Sequence, residues 1–126
     1  RDAAKDTLDT MKRLHAGDIG GVVHCFSYGK EMAREYLDMG LSLGIGGVLT
    51  FKNARKLVEV VEYAPLESLL LETDSPYLAP EPVRGRRNEP LNVEHICRLI
   101  AKLRDMDAQQ LCDITRENGK RFYGID

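Results

Sequence analysis

The stretch "LLLETDSP", residues 69–76, decides the fold. Its three leucines are typical of a strand that is covered on both faces, as in a parallel sheet. Two carboxylates, Glu72 and Asp74, end this run, and the alternation of side chains along a strand places them on one face. Burying a carboxylate costs several kcal/mol unless it is paired or binds a metal. Glu72 and Asp74 therefore either lie at the open end of the strand, where they reach solvent, or have a catalytic or metal-binding role.

Two further strand-like segments precede this one. We expect strands over residues 20–26, 41–46 and 69–73, with helical patterns before, between and after them. A loop with several prolines runs from Ser75 to about Asn92. Single helices between strands imply right-handed crossovers and a parallel sheet. Because three such strands leave two open edges, the sequence predicts part of a larger (β/α) barrel or doubly wound sheet.

Polar residues and glycines mark the predicted helix ends. Asn53, Asn92 and Asp107 each stand just before an apolar helical pattern, where a side-chain oxygen can accept from free backbone N–H groups. Gly17 and Gly40 follow helical patterns and are predicted to end them. The expected order is helix, strand, helix, strand, helix, strand, loop, helix, helix.

Composition excludes several classes of protein. The chain of 126 residues and 14.2 kDa fits one globular domain. Its net charge of −2 offers no overall positive field, so any binding of nucleic acid needs a local patch. Apolar runs are too short for a membrane span, and we expect no membrane partner. Cys25, Cys97 and Cys112 lack CxxC spacing and are interpreted as reduced thiols of a cytoplasmic protein.

His24 ends the first predicted strand as Asp74 ends the third. The carboxyl ends of parallel strands meet at one edge of a sheet or barrel, so an imidazole and carboxylates can converge there. Such a set suits a metal-assisted hydrolase, in which a carboxylate can also take a proton from water. Simpler interpretations stay open. The Asp74-Ser75-Pro76 segment also fits a turn or helix cap, and His24 also fits a hydrogen-bonded structural histidine.

Several motifs in one order carry a resemblance to a known family. They are "VVHCFSYG" (22–29), "GIGGVLTFKNA" (44–54), "LETDSPYLAP" (71–80), "RGRRNEP" (84–90) and "TRENGKRFYGI" (115–125). Through them the chain resembles the TatD family of metal-dependent deoxyribonucleases, which are TIM-barrel members of the metallo-hydrolase group related to amidohydrolases. One departure is Tyr28, which turns the family's "FSG" into "FSYG".

The resemblance implies a fold and a set of metal ligands. Residues 1–126 would form the C-terminal half of a TIM (β/α)8 barrel, with parallel strands six to eight and their helices. His24 and Asp74 are similar to the metal ligands that end strands six and eight. Asp74 would also act as the base toward the attacking water, and Glu72 would support the site. The cofactor would be Mg, Mn or Zn, with one or two ions per complete site.

The remaining ligands of the family would lie in an N-terminal half. They are a His-x-His pair, an early glutamate, and a histidine just before an Arg-Asp-Ala sequence. Because the chain begins at Arg1-Asp2-Ala3, we expect that half to be absent from it and to be its partner. We expect residues 1–126 alone to be inactive.

Arg84, Arg86 and Arg87 form the concentrated basic patch of the sequence. Guanidinium groups pair with phosphate oxygens, so the patch is predicted to contact a substrate phosphate. The alternative is a loop braced by Arg–carboxylate pairs, with Asn88 and Glu89 shaping the turn. Arg84 is the arginine that fits this alternative best.

Three more residues flank the motifs. Lys52 is a further candidate for phosphate contact, and Tyr77 is a candidate for the pocket wall. Phe26 is expected to pack in the ordinary way.

Three functional hypotheses follow. The resemblance favours hydrolysis of phosphodiester bonds in DNA, a deoxyribonuclease activity, once the barrel is complete. The second hypothesis is a metal-dependent hydrolase of a non-nucleic ester or amide. The third is a non-catalytic fragment that associates with a partner half.

Overall fold

The structure, a computed structural model, describes residues 3–126, so Arg1 and Asp2 of the opening sequence lie outside the described residues. Five α-helices and three strands follow in the predicted order. They are α1 Ala4–Arg13, β1 Val22–Val23, α2 Lys30–Asp38, β2 Ser42–Ile45, α3 Arg55–Tyr63, β3 Leu69–Leu71, α4 Val93–Leu103 and α5 Ala108–Tyr123. No helix among these residues is both long and apolar enough to cross a membrane.

The three strands form one parallel sheet in the order β1-β2-β3, which confirms the predicted parallel sheet. Val22 pairs with Ser42, and Leu43 pairs with Leu69. All three strands are shorter than predicted, although the N–H groups of Phe26 and Glu72 still donate to β2, at the carbonyls of Gly44 and Ile45. A 3-10 turn follows β2, and left-handed backbone conformations occur soon after β1 and β3.

The core lies between the sheet and the helices. Leu43, Ile45 and Leu69 of the strands are fully buried, and the helices cover them with the apolar residues Ala33, Tyr36, Leu57, Val60, Val61, Ile96, Ile100 and Leu111. Leu70 and Leu71 are only half-buried and border an open cavity of about 330 Å³. Coverage of both faces, which the leucine run predicts, is therefore incomplete within residues 3–126.

The predicted helix caps have three different outcomes. Asp107 caps α5 as predicted, since its Oδ1 accepts from the N–H groups of Gln109 and Gln110. Asn53 does not cap α3, because the turn closed by the Ala54 N–H and the Phe51 carbonyl places Ala54 at that position. Asn92 stands at the N-cap of α4, but its side chain donates to Asn88 instead.

Candidate metal centre

Three side chains meet at the carboxyl end of the sheet. His24 follows β1, while Glu72 and Asp74 follow β3. The imidazole lies between the two carboxylates, with Nδ1 2.9 Å from Glu72 Oε2 and Nε2 2.9 Å from Asp74 Oδ1. One possible ligand atom from each residue lies within 4.8 Å of the others. The structure thus brings the three predicted residues together, and it places Glu72 in the cluster itself.

The turns that carry these side chains have unusual backbone conformations. Cys25 has φ 49° and Asp74 has φ 55°, in the left-handed region that residues other than glycine rarely adopt. The Cys25 N–H donates to Glu72 Oε1 at 2.6 Å. Strained backbone of this kind concentrates at functional sites, where the surrounding structure holds it in place. Here it orients Glu72 and Asp74 toward His24.

Gly44 in the middle strand and Gly46 just after it leave space for the carboxylates. A Cβ atom added at Gly44 would overlap Glu72 Oε2 and lie 2.8 Å from Glu72 Cδ. A Cβ at Gly46 would lie 3.2 Å from Asp74 Oδ2. The two carboxylates that follow β3 can therefore extend toward His24, because these glycines place no side chains between them. The sequence pattern alone did not reveal this role of the two glycines.

Replacing Gly44 by alanine is expected to lower the affinity for Mn²⁺ about tenfold, because the new methyl group displaces the Glu72 carboxylate. The overlap is with the end of a flexible side chain, so we expect little change in the free energy of unfolding. Isothermal titration with Mn²⁺ and urea unfolding measure the two quantities. An unchanged affinity would show that Glu72 does not act on the metal.

The two carboxylates of the cluster help to shift the pKa values of His24 and of the neighbouring Cys25. The hydrogen bond to Glu72 and the negative charge of Glu72, followed by the charge of Asp74, raise the pKa of His24 above its ordinary value. Burial, together with the nearby carboxylates of Asp74 and Glu72, raises the pKa of the Cys25 thiol to about 12. Cys25 therefore stays a protonated thiol beside the cluster at neutral pH.

In the metal-free protein, Cys25 is expected to resist alkylation by iodoacetamide at pH 8. With a pKa of about 12, only about one thiol in ten thousand is the reactive thiolate. In urea the thiol regains its ordinary pKa, so labelling should be about a thousandfold faster. Peptide mass spectrometry of samples quenched over time measures both rates. Equal rates in native and unfolded protein would contradict the buried environment of this thiol.

The donor set fits a divalent metal ion. Asp74 Oδ2 is buried and has no hydrogen-bond partner, although buried carboxylate oxygens are normally paired. A bound cation would supply a partner for this oxygen. One imidazole and two carboxylates are ligands that Zn²⁺ and Mn²⁺ accept, and the carboxylates also suit Mg²⁺.

The predicted substrate residues are not members of this cluster. Arg84, Arg86 and Tyr77 border a second open cavity of about 330 Å³, together with Phe51. The Arg84 guanidinium lies over the Phe51 ring, 4.0 Å from its centroid. Tyr77 is 75% exposed. Arg87 and Lys52 are exposed and do not border this cavity.

The alternative interpretation of this loop was wrong in one respect. Within residues 3–126, no ion pair joins Arg84, Arg86 or Arg87 to a carboxylate. The loop is held instead by the buried side chain of Asn88. Phe26 packs as predicted, since it is fully buried.

Fold and site first define a class: a parallel α/β protein with a candidate metal centre at the carboxyl ends of its strands. Within this class, the chain belongs to the TatD related DNase family, whose sequence model matches residues 1–124. This confirms the family to which the motifs pointed.

Three relatives illustrate the family. YabD of Bacillus subtilis, named an uncharacterized metal-dependent hydrolase, is 44% identical over 126 residues, covering 100% of this chain and 49% of YabD. A Rahnella protein named 3'-5' ssDNA/RNA exonuclease TatD is 36% identical over 130 residues, covering 99% and 49%. The crystal structure of YJJV, a TatD homologue from Escherichia coli, matches with TM-score 0.90 and 28% identity, covering 100% of this chain and 48% of that one. The chain thus spans about half the length of these relatives.

Proposed function

We propose that this chain supplies part of the active site of a TatD-type metal-dependent hydrolase that cleaves phosphodiester bonds in DNA. The observation that carries the proposal is the His24, Glu72 and Asp74 cluster, with one buried carboxylate oxygen that lacks a partner. Relatives named as metal-dependent hydrolases support it. A cytoplasmic location stays a prediction from the three free thiols.

The proposal includes the C-terminal half of a TIM barrel, with β1 to β3 as its last three strands. Support comes from the parallel sheet, from the site at its carboxyl edge, and from the match to about half of a TatD homologue. The half-buried Leu70 and Leu71 leave an apolar surface that further strands would cover. The other half of the barrel would be the partner and would add further metal ligands.

His24 and Asp74 would hold the metal, which is Mg, Mn or Zn. When bound, the metal supplies Lewis-acid activation of the phosphoryl group and the attacking water. Glu72 fixes the orientation of the imidazole through its contact with Nδ1, as second carboxylates commonly do for ligating histidines. Asp74 would also accept the proton of that water.

The substrate proposal uses the loop beside the site. Arg86, Arg87 and Lys52 would contact phosphates, because they are exposed and the two arginines have no carboxylate partner in the described part of the chain. Arg84 would also contact a phosphate, from its position over the Phe51 ring. The exposed ring of Tyr77 offers a surface on which an unpaired base can stack. The Rahnella relative, named a single-stranded DNA and RNA exonuclease, supports such a substrate.

A substrate panel tests the proposal. The complete native polypeptide that contains these residues is supplied with Mn²⁺ and offered four substrates. They are a single-stranded DNA oligonucleotide, a nitrophenyl phosphodiester, a lactone and an anilide. Cleavage of the first two supports the phosphodiesterase. Cleavage of only the lactone or the anilide would instead indicate a hydrolase of non-nucleic esters or amides. If no substrate is cleaved, a non-catalytic role is favoured.

A further inference from the structure

The side chain of Asn88 is buried in the loop that follows the candidate metal centre. It is only 3% exposed, and its Nδ2 donates to the carbonyl oxygens of Thr73 at 2.5 Å and Tyr77 at 2.7 Å. Its Oδ1 accepts from the Glu89 N–H at 2.9 Å and from Asn92 Nδ2 at 2.8 Å. Every hydrogen-bonding position of the amide is therefore used, and the orientation of the amide is fixed.

The two carbonyls that Asn88 binds lie on either side of Asp74. Between them the chain makes a turn in which the Tyr77 N–H donates to the Asp74 carbonyl at 2.9 Å. The Asn88 N–H donates to the Pro76 carbonyl at 3.0 Å, which adds a third bond to the same turn. Asp74 has φ 55°, a conformation that persists only when the surroundings hold it.

We propose that Asn88 is a positioning residue of the metal centre. By holding the carbonyls before and after Asp74, the amide keeps the strained turn closed and the Asp74 carboxylate directed at His24. Asn88 acts through the backbone of the turn and not through the ligand atoms. The inference rests on the proposed function, because it assumes that Asp74 holds a metal.

The chain offers a matched control in Asn118. This side chain is 4% exposed, and its Nδ2 also donates to two backbone carbonyls, those of Leu66 at 2.7 Å and Leu69 at 2.9 Å. The Leu69 carbonyl lies at the start of β3 and the Leu66 carbonyl in the 3-10 turn before it, so both are at the opposite end of the strand from Asp74. Removing either amide therefore removes two hydrogen bonds from a buried side chain to backbone carbonyls. Only those of Asn88 hold the turn that carries Asp74.

The experiment compares Asn88→Leu with Asn118→Leu in the complete native polypeptide. Leucine has a similar size, lacks the two N–H donors and adds no charge. Titration with Mn²⁺ alone gives the affinity, steady-state kinetics on a phosphodiester gives kcat and KM, and urea unfolding gives the stability. We expect Asn88→Leu to lower the Mn²⁺ affinity 10- to 100-fold and kcat about 100-fold, with KM changed less than threefold. Asn118→Leu should keep all three constants within threefold while losing stability.

Two results would overturn the inference. One is an Mn²⁺ affinity in Asn88→Leu equal to that of the wild type, and the other is an equal loss of affinity in Asn118→Leu. If Asn88→Leu does not fold, Asn88→Ser retains one donor and should lose affinity by a smaller factor, and wild-type affinity in that variant overturns the inference as well.

The metal titration separates this inference from the proposed function. The titration needs no substrate. If the wild type binds Mn²⁺ but cleaves no phosphodiester, the proposed phosphodiesterase activity is rejected. The role of Asn88 is then still tested by comparing the Mn²⁺ affinities of the wild type and Asn88→Leu. A wild type that binds no Mn²⁺ overturns both.

Discussion

Asp74→Asn in the complete protein is expected to lower kcat for phosphodiester hydrolysis by about a thousandfold or more. Asparagine keeps the size of the side chain but cannot accept the proton of the attacking water, and it is a much weaker metal ligand. The loss is expected to be large because the substitution would remove both proposed roles of Asp74, as a metal ligand and as the base. Steady-state cleavage of a single-stranded oligonucleotide at saturating Mn²⁺ measures it.

The control is Asp9→Asn, which removes the same charge from an exposed position on α1. This variant should cleave at the wild-type rate. Urea unfolding without metal shows whether the Asp74 variant is folded, which separates lost chemistry from lost structure. Near wild-type rates in Asp74→Asn would reject Asp74 as the base, and equal losses in both variants would indicate a general effect of charge.

The convergence of His24, Glu72 and Asp74 on one edge of the sheet could be predicted, because parallel strands end at the same edge. Their direct contact could not, because β2 lies between β1 and β3 and the contact also needs the space left by Gly44 and Gly46. The sheet and the order of its elements followed from the same alternation of apolar strands and helical patterns.

Other features depend on contacts between distant segments, and sequence patterns do not show these. Gly44 provides space for a side chain from the neighbouring strand, and Arg84 packs on Phe51, which lies 33 positions earlier in the chain. Asn88 was expected only to shape its own turn, yet it holds the turn around Asp74. Asn53 was wrong as a cap because a local preference for capping does not decide where the preceding turn closes.

Gly47→Ala is expected to destabilise the protein by about 3 kcal/mol, at the upper end of the usual cost of overpacking. The turn after β2 touches the loop after β3 at this glycine. An added Cβ would overlap the carbonyl oxygen of Leu78 and lie 3.2 Å from the Pro80 nitrogen. Both are backbone atoms, and Leu78 is itself held at φ 53°, so neither segment can move away cheaply. Urea unfolding of the variant measures the loss.

Gly119→Ala provides the matched control, since Gly119 lies inside α5 and a Cβ there would meet no atom within 4 Å. It should stabilise the protein by about 0.5–1 kcal/mol, because alanine favours helix more than glycine does. The same substitution is thus expected to have opposite signs at the two positions. If Gly47→Ala were as stable as the wild type, the loop that carries Tyr77 and Arg84 would be free to move away from β2. The close contact between the two segments could then not be what fixes the position of this loop.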